Sequence, residues 1–204
     1  LIGFALTDGF DMGAAILLQI LVRCRGGGRV PDGSKGYARL ALFGLLGVAI
    51  NQLLYLYGLS RTTATTASIL VTSIPIFTAG FAVLLKVESL TGRRIVGGAL
   101  ALTGVLILLG ANLADLSAPG TSLTGNLMVV ANTVSYGLYL VLSRPMTARM
   151  DALTMAAWIF TFGCLGALPF GVWEALTLDF GSVSPAAWAG AGYAVFSTSL
   201  GYWL

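Results

Sequence analysis

The run LALFGLLGVAINQLLYLYGL, Leu40 to Leu59, holds twenty residues without a formal charge. A helix that crosses the hydrocarbon core of a bilayer needs ~20 predominantly apolar residues. The stretch is therefore long enough to be a complete transmembrane segment. Two adjacent amides, Asn51 and Gln52, stand in its middle. An amide in hydrocarbon is costly without a hydrogen-bond partner. The pair therefore marks either a contact with another helix or a polar cavity.

The rest of the chain decides for lipid. Of its 204 residues, 57% are hydrophobic and 9% are charged, and the mean hydropathy is +0.90. An average soluble domain carries about 25% charged residues, and a soluble core of this length could not hide so much apolar surface. The net charge is +3. The basic residues cluster in short loops, the pattern of membrane topology rather than of nucleic-acid binding. Histidine is absent, which removes the commonest general base and metal ligand. Cys24 and Cys164 have neither metal-site nor disulfide spacing. No catalytic set, metal or cofactor is expected, and the chain does not read as an enzyme. It starts without Met, shows no signal peptide, and stops at Trp203-Leu204 without a polar end, so an excerpt of a longer protein is expected.

Hydropathy predicts the end of one helix over 1–7, then spans near 10–24, 38–59, 64–85, 92–112, 125–143, 152–173 and 186–204. Backbone groups in lipid must bond internally, and the connections are too short for a paired barrel, so the spans are helices. Ten of the eleven basic residues fall in alternate loops on one side, including Arg23 to Arg39, Lys86 to Arg94, and Arg144 with Arg149. That side is predicted to be cytoplasmic. Asp8, Asp11, Asp115, Glu174 and Asp179 fall opposite, with Arg61.

A weak internal repeat accompanies this topology. DMGAAILLQI from Asp11 and DALTMAAWIF from Asp151 both open a span with Asp, and GVAINQLLYL and STSLGYWL both place small and polar residues before an aromatic. Five spans separate the matched segments, so the copies run antiparallel. Such inverted repeats commonly hold a substrate site near the midplane.

SRTTATTASILVTSIPIFTAGFAVLLKVESLTGRRIVGGALALTGVLILLG, Ser60 to Gly110, resembles the fourth and fifth helices of EamA-type proteins of the drug/metabolite transporter superfamily. The resemblance lies in a Ser/Thr/Ala-rich helix with a mid-helix Pro, a short turn with Glu, then a helix opening on Gly and closing in an aliphatic-Gly run. VANTVSYGLYLVLSRP, Val130 to Pro145, resembles the sixth helix. Val87 stands where the family usually has Gly before the Glu, and Gln19 where it often has Arg. The resemblance implies an all-α integral membrane protein, an inverted repeat of two five-helix bundles with ten helices in full length. Here 1–115 would be the first repeat without most of its first helix, 116–124 an external connection, and 125–204 the second repeat without its last two helices. It also implies a transporter. An exporter of small amphipathic or zwitterionic metabolites, amino-acid-like or drug-like, working by alternating access in a cell's inner membrane is expected. An integral-membrane enzyme acting on lipid, or a non-transporting scaffold or sensor, are the alternatives.

Candidate site residues follow from polar stripes. Gly44, Gly47, Asn51, Tyr55 and Gly58 fall on one helical stripe, with Gln52 turned ~100° from it. Asn132, Ser135, Tyr136, Tyr139 and Ser143 form a second, Thr65, Ser68, Thr72 and Pro75 a third, and Ser197, Ser199 and Tyr202 a fourth. Pro75 cannot donate to the Val71 carbonyl and is expected to kink the helix, and the freed carbonyl needs a partner that a cavity can supply. The candidate substrate-binding set is Asn51, Gln52, Tyr55, Thr72, Pro75, Asn132, Tyr136, Tyr139, Ser199 and Tyr202. For each, close helix packing is the competing role. Aromatic Tyr55, Tyr136, Tyr139, Tyr202 and Trp158 could stack on a ligand. No Asp, Glu, Lys or Arg lies at mid-span, which disfavours a strongly anionic substrate and a buried-carboxylate proton relay. Gly97, Ala101 and Gly104 form a small-residue face that suits helix packing first and a homodimer contact second.

Overall fold

The Leu40–Leu59 run lies in one continuous helical segment, Gly33–Leu59, long and apolar enough to cross a membrane. This is seen in a computed structural model, which describes residues 13, 15–26, 30–87, 91–92, 96–100, 103–104, 122–177, 184–186, 188–190 and 193. Ala64–Leu84, Leu123–Thr147 and Ala152–Trp173 are three further segments of spanning length, and Ala15–Cys24 is a shorter apolar helix. Among the described residues every regular element is helical. The chain is an all-α, multi-pass membrane protein. The expected spans at 92–112 and 186–204 lie mostly outside the described residues.

The elements are α1 (Ala15–Cys24), α2 (Gly33–Gly44), a π-helical turn (Leu45–Ala49), α3 (Ile50–Leu59), α4 (Ala64–Val71), α5 (Ile74–Leu84), α6 (Leu123–Thr147) and α7 (Ala152–Thr177). Three starts carry side-chain caps. Thr63 Oγ1 accepts from Thr66 N, and Ser122 Oγ from Gly125 N. Asp151 Oδ2 accepts from Thr154 N at 3.1 Å. Each satisfies one of the backbone donors left over in a first helical turn. Asp151, read from sequence as a repeat marker, thus has a local structural task; Asp11 lies outside the described residues.

The chain forms two packing units. One contains α1, α2, the π-turn and α7, and the other, Ile50–Ala148, contains α3 to α6. In the first unit, buried Leu18, Val22 and Ala157 pack with Leu153, Ala156 and Phe160. Gln19 Nε2 donates to Thr161 Oγ1 at 3.1 Å, and that hydroxyl donates on to the Ala157 carbonyl at 2.6 Å. The hydroxyl proton is already engaged, so the direction of the Gln19 bond is fixed. Glycines let the helices approach: a Cβ on Gly44 would lie 2.6 Å from the Ile159 carbonyl oxygen, and one on Gly163 2.5 Å from Val48 Cβ.

In the second unit, α6 is the central element and packs against α3, α4 and α5. A Cβ on Gly58 would meet Val129 Cγ2 at 2.8 Å, and one on Gly137 would meet Thr78 N at 3.1 Å. The α3–α4 connection is pinned to the start of α6, where Ser122 N donates to the Arg61 carbonyl at 3.0 Å and Thr62 Oγ1 to Asn126 Oδ1 at 2.7 Å.

Three local expectations are revised. The stripe from Gly44 to Gly58 does not meet one neighbour, because Gly44 packs on α7 and Gly58 on α6. The π-turn between them holds more residues per turn than an α-helix and shifts the phase of everything after it. The expected 38–59 span begins earlier, at Gly33, with the exposed Lys35 and Arg39 in its opening turns. α6 runs past the expected end at 143, through Pro145 to Thr147. A proline that close to a C-terminus forfeits one backbone bond without ending the helix.

Candidate functional site

The segment Ala64–Leu84 is broken rather than kinked. α4 ends at Val71 and α5 begins at Ile74, with Pro75 in its first turn. A proline is tolerated there because early N–H groups lack intrahelical partners anyway. Hydroxyls secure the break: Thr72 Oγ1 donates to the Ile69 carbonyl and Ser73 Oγ to the Leu70 carbonyl, each at 2.6 Å. Ser73 Oγ also lies 3.3 Å from Thr133 Oγ1 of α6.

Beside the break is a cavity of about 460 Å³, lined by Asn51 and Tyr55 of α3, Ser68 and Val71 of α4, Ile74 of α5, and Asn132 and Tyr136 of α6. This volume lies in the usual range of small-molecule sites. Three of the polar stripes meet here. None of the lining residues carries a formal charge.

The two asparagines play different parts. Asn132 is 4% exposed, and its Nδ2 donates to the backbone carbonyl of Asn51 at 2.7 Å. A carbonyl accepts only from the nitrogen end of an amide, so this bond fixes which atom of Asn132 is which. Asn132 thereby joins α6 to α3. The carboxamide of Asn51 has no hydrogen-bond partner among the described residues and lines the cavity. The middle of the uncharged run thus holds an amide residue whose backbone is fastened by a neighbour and whose side chain has no hydrogen-bond partner among the described residues.

The other candidates are distributed. Gln52 is partly buried and does not line the cavity, and neither do Thr72, whose hydroxyl is bonded locally, and Pro75, which is exposed. Tyr139 lines a second cavity of about 580 Å³, with Thr78, Leu140, Ser143, Arg144, Thr147 and Ala148. Its ring lies 5.5 Å from that of Tyr136. Ser199 and Tyr202 lie outside the described residues. Trp158 belongs to the first unit, where its ring meets Tyr37 edge-on at 4.9 Å and stacks with Phe162 at 5.8 Å. Sequence reasoning passed over Val71 and Ile74 as lining residues and left Ser68, though it lies on a polar stripe, out of the candidate set. The signal for Val71 and Ile74 was Pro75 itself, since a break places the residues on either side of it at a cavity wall.

The family model of EamA-like transporters matches residues 9–110 and 123–204. The chain belongs to that family. Among curated EamA-like relatives, the uncharacterized transporter YetK of Bacillus subtilis is 28% identical over 196 residues, covering 94% of this chain and 58% of the relative. A WAT1-related protein of Arabidopsis thaliana, At4g30420, is 28% identical over 190 residues, covering 81% of this chain and 49% of the relative. A probable terminal-alkyne amino-acid exporter of Streptantibioticus cattleyicolor is 28% identical over 154 residues, covering 76% of this chain and 50% of the relative. The chain spans about half the length of the curated relatives it matches. No solved structure matches it.

Proposed function

We propose that the chain is the substrate-binding portion of an inner-membrane exporter of small amphipathic or zwitterionic molecules, amino-acid-like or drug-like, which works by alternating access without chemical change of its cargo. The observation that carries this is the uncharged cavity of Asn51, Tyr55, Ser68, Asn132 and Tyr136. It offers hydrogen-bonding groups and two aromatic rings inside a membrane protein, and one amide there has no protein partner among the described residues. The Streptantibioticus relative, named a probable terminal-alkyne amino-acid exporter, supports the cargo class. We further propose the ten-helix inverted repeat, with 1–115 and 125–204 as portions of its two copies. The two separate family matches, 9–110 and 123–204, support it. We keep the remaining candidates, Gln52, Thr72, Pro75, Tyr139, Ser199 and Tyr202, as proposed residues of the transport path.

Flux in proteoliposomes of the full-length protein tests the function. A panel of amino acids and small amphipathic amines should include at least one compound transported well above empty vesicles. Asn51→Ala should raise its KM or alter the profile while leaving the melting temperature nearly unchanged. Normal KM with a lowered melting temperature would instead make Asn51 part of the scaffold.

A further inference from the structure

The cavity is lined by uncharged residues, yet the backbone bonds around it favour one kind of charge. At the helix break, the last four carbonyls of α4 are those of Ser68, Ile69, Leu70 and Val71. The first three accept: Thr72 N donates to Ser68 and Ile69, and Ser73 N to Leu70. The Val71 carbonyl would take its bond from residue 75, which is Pro75 and has no N–H. Among the described residues no donor reaches it, and Val71 lines the cavity. It stands at the C-terminal end of α4, the negative end of the helix dipole.

The opposite end of the break lacks the matching donors. An anion at the start of α5 would want several free backbone N–H groups. Pro75 has none, and Ile76 N and Phe77 N both turn back to the Ser73 carbonyl, at 2.9 and 3.2 Å. Only Ile74 N remains among the described residues. Two of the side chains lean the same way, whereas the Asn51 carboxamide and the tyrosine hydroxyls offer donors and acceptors alike. Ser68 Oγ has spent its proton on the Ala64 carbonyl at 2.8 Å and keeps only lone pairs for the cavity. Asn132 has committed Nδ2 to the Asn51 carbonyl, and its Oδ1 has no donor among the described residues. The faces of Tyr55 and Tyr136 attract cations and not anions.

We propose that this cavity recognises a protonated primary amine, with the ammonium taken by the Val71 carbonyl, Ser68 Oγ and Asn132 Oδ1 and the adjoining apolar body lying against Tyr55 and Tyr136. An ammonium has three donors and no acceptor, which matches three oxygens whose own protons are spent or absent. The proposal rests on the cavity being the substrate site, and it makes the amine, not the carboxylate, the part of an amino-acid-like cargo that this half of the path reads. Pro75 has a double effect, freeing an acceptor and withholding a donor.

The test is equilibrium binding of 2-phenylethylamine, phenylalanine and 3-phenylpropionate to the full-length protein in nanodiscs at neutral pH. The amine and the amino acid should each bind at least tenfold more tightly than the carboxylate. Pro75→Ala, which returns an N–H to the Val71 carbonyl, should lower the amine-to-carboxylate affinity ratio at least fivefold. Ser68→Ala, which removes one oxygen and only a local backbone bond, should lower that ratio in the same direction. The ratio is the readout because a general disturbance of the cavity would weaken all three probes together. Carboxylate binding as tight as amine binding, or a ratio unmoved by both variants, would overturn the amine assignment and leave the cavity as the site. Binding of none of the three would remove the cavity as the site, and the amine assignment with it.

Discussion

Gly58→Ala and Gly80→Ala add the same methyl group to two helices and should act with opposite sign. At Gly58 the new Cβ would lie 2.8 Å from Val129 Cγ2, 3.0 Å from the Gly125 carbonyl oxygen and 3.1 Å from Val129 N. Ordinary carbon contacts lie at about 3.5–4.0 Å. Two of the three obstacles are backbone atoms of α6. The third belongs to a fully buried valine, whose χ1 in a helix has essentially one favoured setting. None can swing aside, so α3 and α6 must separate by several tenths of an ångström or distort. Overpacking of this kind costs about 1–3 kcal/mol, and the helix propensity of alanine over glycine returns about 1 kcal/mol. The net effect should be a loss of up to about 2 kcal/mol. At Gly80, within α5, nothing lies within 4 Å of the built Cβ. Only the propensity term acts there, and it stabilises by up to about 1 kcal/mol. Thermal unfolding of both variants in the same detergent measures the difference. A Gly58→Ala protein that melts at or above the Gly80→Ala protein would refute the close α3–α6 packing on which the cavity wall depends.

Asn132→Ala should destabilise the protein by about 1–2 kcal/mol, since it removes a buried interhelical bond and leaves a small void; thermal unfolding without ligand measures it. Lys86 sits at φ 55 just after α5, with its N–H donating to the Val83 carbonyl and Val87 N to the Ala82 carbonyl. That is the Schellman ending usually made with glycine. Lys86→Gly should therefore stabilise by about 1 kcal/mol, read as a raised melting temperature. For topology, single cysteines replacing Gly27 and Ser89 in a Cys-free background should label from the cytoplasmic face, and one replacing Ser117 from the other face; labelling of Gly27 and Ser117 from one side would sink the inverted repeat.

Long-range polarity was legible from the residues alone, and local phase was not. A twenty-residue uncharged run states its environment directly, because lipid tolerates no unpaired backbone and water no exposed span. The convergence of Asn51, Ser68, Asn132 and Tyr136 was legible for a related reason. Polar groups in apolar helices must find either one another or a cavity, and here they do both: Asn132 holds the Asn51 carbonyl while Asn51's own side chain lines the cavity. The π-turn at Leu45–Ala49 left no such mark. It answers to the tight glycine contacts with α7 at Gly163 and Gly166, a tertiary demand that no residue within LLGVA announces. A helical wheel drawn through that turn therefore carried Gly44 and Gly58 onto one face when they meet different neighbours.

Pro75 lay between these cases. Its missing donor was evident from the residue type, and the orphaned Val71 carbonyl followed by counting back four residues. What could not be counted was how the chain would take up the loss. A long helix can bend around a proline and keep its register, or it can stop and begin again. Thr72 and Ser73 tip the outcome toward a stop, because each hydroxyl reaches back three residues to a terminal carbonyl of α4 and satisfies it without the helix continuing. A restart places Pro75 in a first turn, where it costs nothing, and leaves Val71 and Ile74 as the facing ends of two short helices at the cavity wall. The choice of Thr-Ser immediately before Ile-Pro is thus what turns a bent span into a broken one, and a break exposes backbone where a bend would have hidden it.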